Sequence, residues 1–170
     1  MMGKQHLPMA FGASLLLAEL GGVTGTSQAV FVLAGTLAGV LPDVDHGGTY
    51  ANRALLGGFD LIPGHREGWS HSPVASLGFG ALTAAMTWWL LGASTALLLA
   101  SAVFWGCIVH LLGDTPTHRG IKWLWPFSAR VFSLHWFATG GQASLRDRVL
   151  EIVVAWGFTL AALGLALWLD

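Results

Sequence analysis

Apolar residues gather in five stretches along the chain, about Leu7–Leu20, Ser27–Leu41, Pro73–Leu91, Thr95–Leu112 and Val149–Leu169. A helix needs roughly 20 residues to cross a bilayer, with a range of about 17–25. The last three stretches reach that length. The first two reach it only by extending toward His6 and into Val23–Thr26, so tilted, half-buried or re-entrant helices stay open for them. The pattern predicts an all-α integral membrane bundle of about five hydrophobic segments. It predicts a single domain over residues 1–170, with no internal repeat or low-complexity tract.

The connections organise these segments. Gly21–Thr26 and Gly92–Ser94 read as tight turns, whereas Pro42–Ser72 and Gly113–Arg148 are long and polar. Loops of that length inside a compact protein are usually functional or disordered. If all five segments span, alternation puts the N-terminus and both long loops on one side, and the tight turns and C-terminus on the other. Every basic residue (Lys4, Arg53, Arg66, Arg119, Lys122, Arg130, Arg146 and Arg148) then falls on the long-loop side. Lys/Arg excess marks the cytoplasmic face, so the expected topology is N-terminus in, C-terminus out. Trp88, Trp89 and Trp168 fall near the far ends of their helices, and Trp69, Trp123, Trp125 and Trp136 in the long loops, as two membrane interfaces favour. A cleavable signal peptide is the competing reading of the start, but Glu19 and the lack of an A-x-A-like site speak against it.

Composition strengthens the membrane reading. The chain is 54% hydrophobic and 10% charged, with a mean hydropathy of +0.64. Soluble domains carry roughly 25% charged residues. Glycine, at 23 residues, is enriched as in helices that pack closely in lipid. A net charge of −1 offers no field to draw nucleic acid, so no nucleic-acid partner is expected. Cys107 is the single cysteine, which excludes an internal disulfide.

The same alternation gathers the candidate chemistry. All the histidines, with Asp43, Asp45, Asp60 and Asp114, land on the long-loop side. Imidazole and carboxylate are the ligands of zinc, manganese and iron, and ionisable groups near membrane depth default to function. His110-x-x-x-Asp114 puts both side chains on one helix face; a plain helix stop is the alternative. Cys107 precedes His110 on that face, where a small buried hydrophobe is the ordinary role. Pro42-Asp43-Val44-Asp45-His46 closes the second segment, and an extended Asp-x-Asp would point both carboxylates to one side. His65 and His71 flank the start of the third, where Ser72-Pro73 is a helix-capping pair. His6 opens the first segment, and His118 and His135 read as plain loop residues.

The run Val40-Leu41-Pro42-Asp43-Val44-Asp45-His46, then His65-Arg66 with Ser70-His71-Ser72, then His110-Leu111-Leu112-Gly113-Asp114, with Thr117, Gly120 and Leu124-Trp125-Pro126, resembles the YdjM-type family of inner-membrane proteins, called metal-dependent hydrolases. The resemblance covers His6 to about Arg148. Glu67 stands as one extra residue between His65 and His71, and His118-Arg119 replaces small residues or proline. The order of ligand types is also similar to the helical fold of zinc-dependent phospholipase C and P1 nuclease. That likeness implies His6, Asp45, His71, His110 and Asp114 as core metal ligands, with Asp43, His46 and His65 adjoining.

The expected function is a membrane-bound metal-dependent hydrolase that cleaves a phosphoester of a lipid or lipid-linked substrate, with ester or amide hydrolysis at the same site as the open alternative. Zinc, or manganese in its place, in two or more copies, would lower the pKa of water to about 7. Asp43 or Asp45 would orient that water or act as base, with Arg66 assisting, and Arg66, Arg119, Lys122 and Arg130 would hold the phosphate. The expected partners are the lipid bilayer and this lipid substrate, and a homodimer is open. Two rivals use the same residues. One is a metal transporter or sensor, for which Glu19 alone offers a polar continuation across the bilayer. The other is a scaffold with a closed structural metal site.

Overall fold

Helices form where the apolar stretches run: α1 Gly3–Leu20, α2 Gly25–Ala38, α3 Pro73–Leu91, α4 Ala93–Asp114 and α5 Leu145–Leu169. This computed structural model describes residues 3–44, 49, 52–53, 69–139 and 143–169. Among the described residues the architecture is all-helical, as the pattern predicts, with isolated backbone bridges only in the segment after α4. The two short stretches lengthen in different ways. α1 begins at Gly3 rather than Leu7, and α2 continues through a 3-10 turn, Leu41–Asp43. With that turn, Gly25–Asp43 joins α3, α4 and α5, making four helices among the described residues that are long and apolar enough to cross a membrane. α1 is not among them, since its first turn carries Lys4, Gln5 and His6.

α1 and α4 hold the middle. α1 packs on α2, α4 and α5, while α3 packs on α4 alone among its larger contacts. Only 17% of α3 and 22% of α5 is buried in the bundle. Helix faces as apolar as these, carrying exposed Leu77, Met86, Leu160 and Leu167, demand lipid rather than water as solvent. Lipid tails give helices no hydrophobic reason to associate, so small residues that admit close backbone approach do the packing. A methyl group on Gly106 would overlap the Gly35 carbonyl of α2 and come within 2.9 Å of Ala38 Cβ. One on Gly12 would meet the Thr159 backbone of α5 at 3.0 Å, and one on Gly80 the Ala100 carbonyl at 2.9 Å.

The helix ends follow from local chemistry. Ser72 Oγ accepts from Ala75 N at 3.1 Å and Pro73 occupies the first turn, as the capping pair predicts. Gly92, at φ 79°, breaks the chain between α3 and α4. Ser144 Oγ accepts from Asp147 N while the Asp147 carboxylate accepts from Ser144 N, a reciprocal cap on α5.

Backbone hydrogen bonds hold residues 115–137, after α4, in a defined path. Ile121 and Phe132 exchange two backbone hydrogen bonds at 2.9 Å, closing a hairpin, and Leu134 N and Trp136 N donate to the carbonyls of Thr115 and Pro116. Gly120 sits at φ 62° with the Phe132 carbonyl where a side chain would go, so this turn requires glycine.

Candidate metal centre

Four segment ends converge at one end of the bundle: the first turns of α1, the 3-10 turn after α2, the start of α3 and the last turn of α4. His6 Nε2 lies 3.3 Å from Asp114 Oδ1, and His71 Nε2 lies 3.3 Å from Asp43 Oδ1. His110 Nε2 sits between the two carboxylates, 3.8 Å from Asp43 and 3.6 Å from Asp114. The His6 and His110 rings stack at 3.7 Å, and His71 meets His110 edge-on at 5.2 Å. His6 and His110 are fully buried, while His71, Asp43 and Asp114 are partly open. Donor atoms of His6, Asp43 and His110 form one group within 4.8 Å of one another, and those of His71, His110 and Asp114 form another.

Local sequence explains why His110 is held as it is. α2 ends at Ala38, so the Gly39 carbonyl has passed the regular helix. In the next turn it would look to Pro42 or Asp43 for a donor. Pro42 has no N–H, and Asp43 N donates to Val40 O instead. The freed carbonyl accepts from His110 Nδ1 at 2.8 Å, across the contact that Gly35 and Gly106 permit. A carbonyl only accepts, so Nδ1 carries the proton. Nε2 has no hydrogen-bond partner among the described residues and faces two carboxylates. A lone pair aimed at carboxylate oxygens is repulsive unless a proton or a metal cation lies between them. Two donors each about 2.1 Å from a zinc ion stand about 3.4 Å apart at the tetrahedral angle, close to the separations found here. The donor set fits a divalent ion.

The sequence of the whole chain supplies an independent comparison. The profile of the YdjM inner membrane protein family matches residues 1–169. The chain belongs to that family. No curated protein and no solved structure matches it. Membership in the YdjM family agrees with the apolar helices of the bundle.

Of the residues expected at the site in this YdjM-family chain, His6, Asp43, His71, His110 and Asp114 come together. Asp43, which the phospholipase likeness sets beside the core ligands, is among them, and it lies in a 3-10 turn rather than in an extended Asp-x-Asp. Asp45, His46, His65 and Arg66 lie outside the described residues. Cys107 donates to the Ala38 carbonyl at 3.5 Å inside the α2–α4 contact, and it belongs to neither donor group. His118 and His135 pair with each other at 5.9 Å between ring centroids, on exposed positions. Arg119 and Arg130 are exposed, and Arg130 lies over the Phe132 ring at 5.2 Å. At the site, His6, His71 and His110 pair with Asp43 and Asp114. Glu19 accepts from Gln28 Nε2 at the α1–α2 turn.

Among the supporting residues, Thr49 and Asn52 have no periodic or motif signal that would have revealed them, whereas Ser70 stands in the Ser70-His71-Ser72 run. Ser70 Oγ lies 2.9 Å from His71 Nδ1 and steadies that ring. Thr49 Oγ1 donates to the Asp43 carbonyl at 2.7 Å, and Asn52 Nδ2 to the Val44 carbonyl at 2.6 Å, bracing the turn that presents Asp43. Glu151 is fully buried in α5, one and two turns before Ala155 and Thr159, whose face meets α1. An acid early in an apolar run was its only cue.

Proposed function

We propose that this protein is a membrane-bound, metal-dependent hydrolase that cleaves a phosphoester of a lipid or lipid-linked substrate. The observation that carries this reading is the position of His110 Nε2, turned away from the Nδ1 hydrogen bond and buried between Asp43 and Asp114 with His6 and His71 beside them. The likeness in ligand order to zinc-dependent phospholipase C and P1 nuclease supports phosphoester chemistry. His6, Asp43, His71, His110 and Asp114 would hold zinc, or manganese, in one or both donor groups. When bound, the ion supplies a Lewis acid that makes water nucleophilic near neutral pH. Asp43 is partly open, so an oxygen not engaged by the ion can orient water and take its proton. Arg119, Lys122 and Arg130, on the segment that follows Asp114, supply cations for a substrate phosphate, and Arg66 is assigned with them from its place in the sequence.

The test is turnover of a chromogenic phosphodiester and of phospholipids by protein in lipid nanodiscs, stripped with chelator and reloaded with zinc or manganese. Hydrolysis should follow the metal, and Asp43→Asn should lower kcat by about 10²–10⁴-fold. Zinc flux into proteoliposomes without turnover would replace this reading with the transport one. Ser70 would act through His71 alone, so Ser70→Ala is expected to weaken zinc binding about 10–100-fold in a competition titration, with the helical spectrum unchanged.

A further inference from the structure

The segment joining α4 to α5 carries three features of a membrane-seated element. The first is charge: between Asp114 and Asp147 the chain has no acidic residue, yet it holds Arg119, Lys122, Arg130 and Arg146. The second is position. Ile121 joins Ile108 and Leu111 in one buried cluster, with Trp123 packed against it. Ile108 lies six residues before the end of α4 (114 − 108), about 9 Å back along the helix at 1.5 Å per residue. The hairpin therefore folds back along the flank of a membrane-spanning helix instead of projecting beyond it. The third is the tip, where Phe127 is 92% exposed and Leu124 and Val131 about half exposed. An apolar tip beside clustered cations is the pattern of elements that sit at the headgroup–acyl boundary of anionic membranes.

We propose that the hairpin from Gly120 to Phe132 is an interfacial anchor. Leu124, Phe127 and Val131 enter the leaflet on the His/Asp side of the protein, and Arg119, Lys122 and Arg130 engage anionic phospholipid headgroups. The backbone closure at Ile121 and Phe132 holds the tip in shape, and the guanidinium of Arg130 over the Phe132 ring sets a charge at its base. The hydrolase reading uses the same cations for substrate, but the anchor requires neither metal nor turnover.

A polarity-sensitive fluorophore on Phe127→Cys, with Val131→Cys as a second site, tests this in nanodiscs of phosphatidylcholine and phosphatidylglycerol. Cys107 is fully buried, and the unsubstituted chain serves as the labelling control. The expected result is a blue-shifted label, quenched by lipids with a spin label near the headgroup and shielded from aqueous iodide. Lys122→Gln with Arg130→Gln should shift the balance toward iodide access, by about fivefold for each cation removed. Iodide access equal to that of free dye, without lipid quenching, overturns the anchor. Equal shielding in phosphatidylcholine alone overturns the headgroup assignment. Shielding seen only when two copies share a nanodisc gives the tip to a second copy of the chain and overturns both.

Discussion

Alanine at His110 or at Asp114 is expected to empty the protein of divalent metal. His110 contributes to both donor groups, so its loss removes a ligand from each, and Asp114 is approached by two imidazoles. Replacing a residue that only orients a ligand costs about 10–100-fold in affinity, and removing a ligand itself costs more. Elemental mass spectrometry of detergent-purified protein should find zinc or manganese in the wild type and none in either variant. His118→Ala, at an exposed position, should keep the wild-type content. Retention of metal in both variants would move the site elsewhere and favour a structural role for the ion. A wild type that takes up no metal even after reloading would end the hydrolase reading, and a proton on His110 would then be what lies between the carboxylates.

The second large effect concerns a glycine that is not itself a candidate ligand, one helical turn before His110. Gly106→Val should both destabilise the bundle and release metal. Its side chain would strike the Gly35 carbonyl and Ala38 of α2, where backbone cannot yield as a flexible side chain does. Overpacking of this kind costs about 1–3 kcal/mol. Pushing α2 from α4 also draws the Gly39 carbonyl away from His110 Nδ1, and the proton that fixes the ring's tautomer loses its acceptor. Thermal unfolding in detergent should show a lowered midpoint together with at least about tenfold weaker zinc binding. Gly78→Ala and Gly157→Ala have nothing within 4 Å of the added methyl and should leave both unchanged. A Gly106→Val protein with wild-type metal affinity would show that the α2–α4 contact does not position His110.

The helices and the polarity of the site were legible because both rest on local or one-dimensional signals. Runs of apolar residues bounded by Gly92, by Ser72-Pro73 and by Gly21-Gly22 determine where helices form, whatever they pack against. His110 and Asp114 share a face because a helix places residues four apart side by side. Alternation across a bilayer then gathers His6, Asp43 and His71 at the same end. That Asp43 reaches His71 and His110 could not be read from order along the chain, which says nothing of how the Leu41–Asp43 turn presents its side chain; Asp45 lies outside the described residues.

Other features needed the tertiary structure. Arg119, Lys122 and Arg130 are visible as cations in the sequence, but only the fold shows that their hairpin lies back along α4, because Ile121 finds Ile108 and Leu111 across a chain reversal. Thr49 and Asn52 look like ordinary loop residues until hydrogen bonds tie them to the Asp43 turn, and Ser70, visible as part of a motif, gains its role only when its hydroxyl meets His71 Nδ1. By itself, then, the sequence determined the helices, the lipid environment and which end bears the histidines, since each follows from side-chain polarity along one chain. Only the tertiary structure decided that His110 turns Nε2 to both carboxylates and its Nδ1–H to the Gly39 carbonyl. That depends on a carbonyl freed by Pro42 meeting a ring from another helix, at a distance set by Gly35 and Gly106.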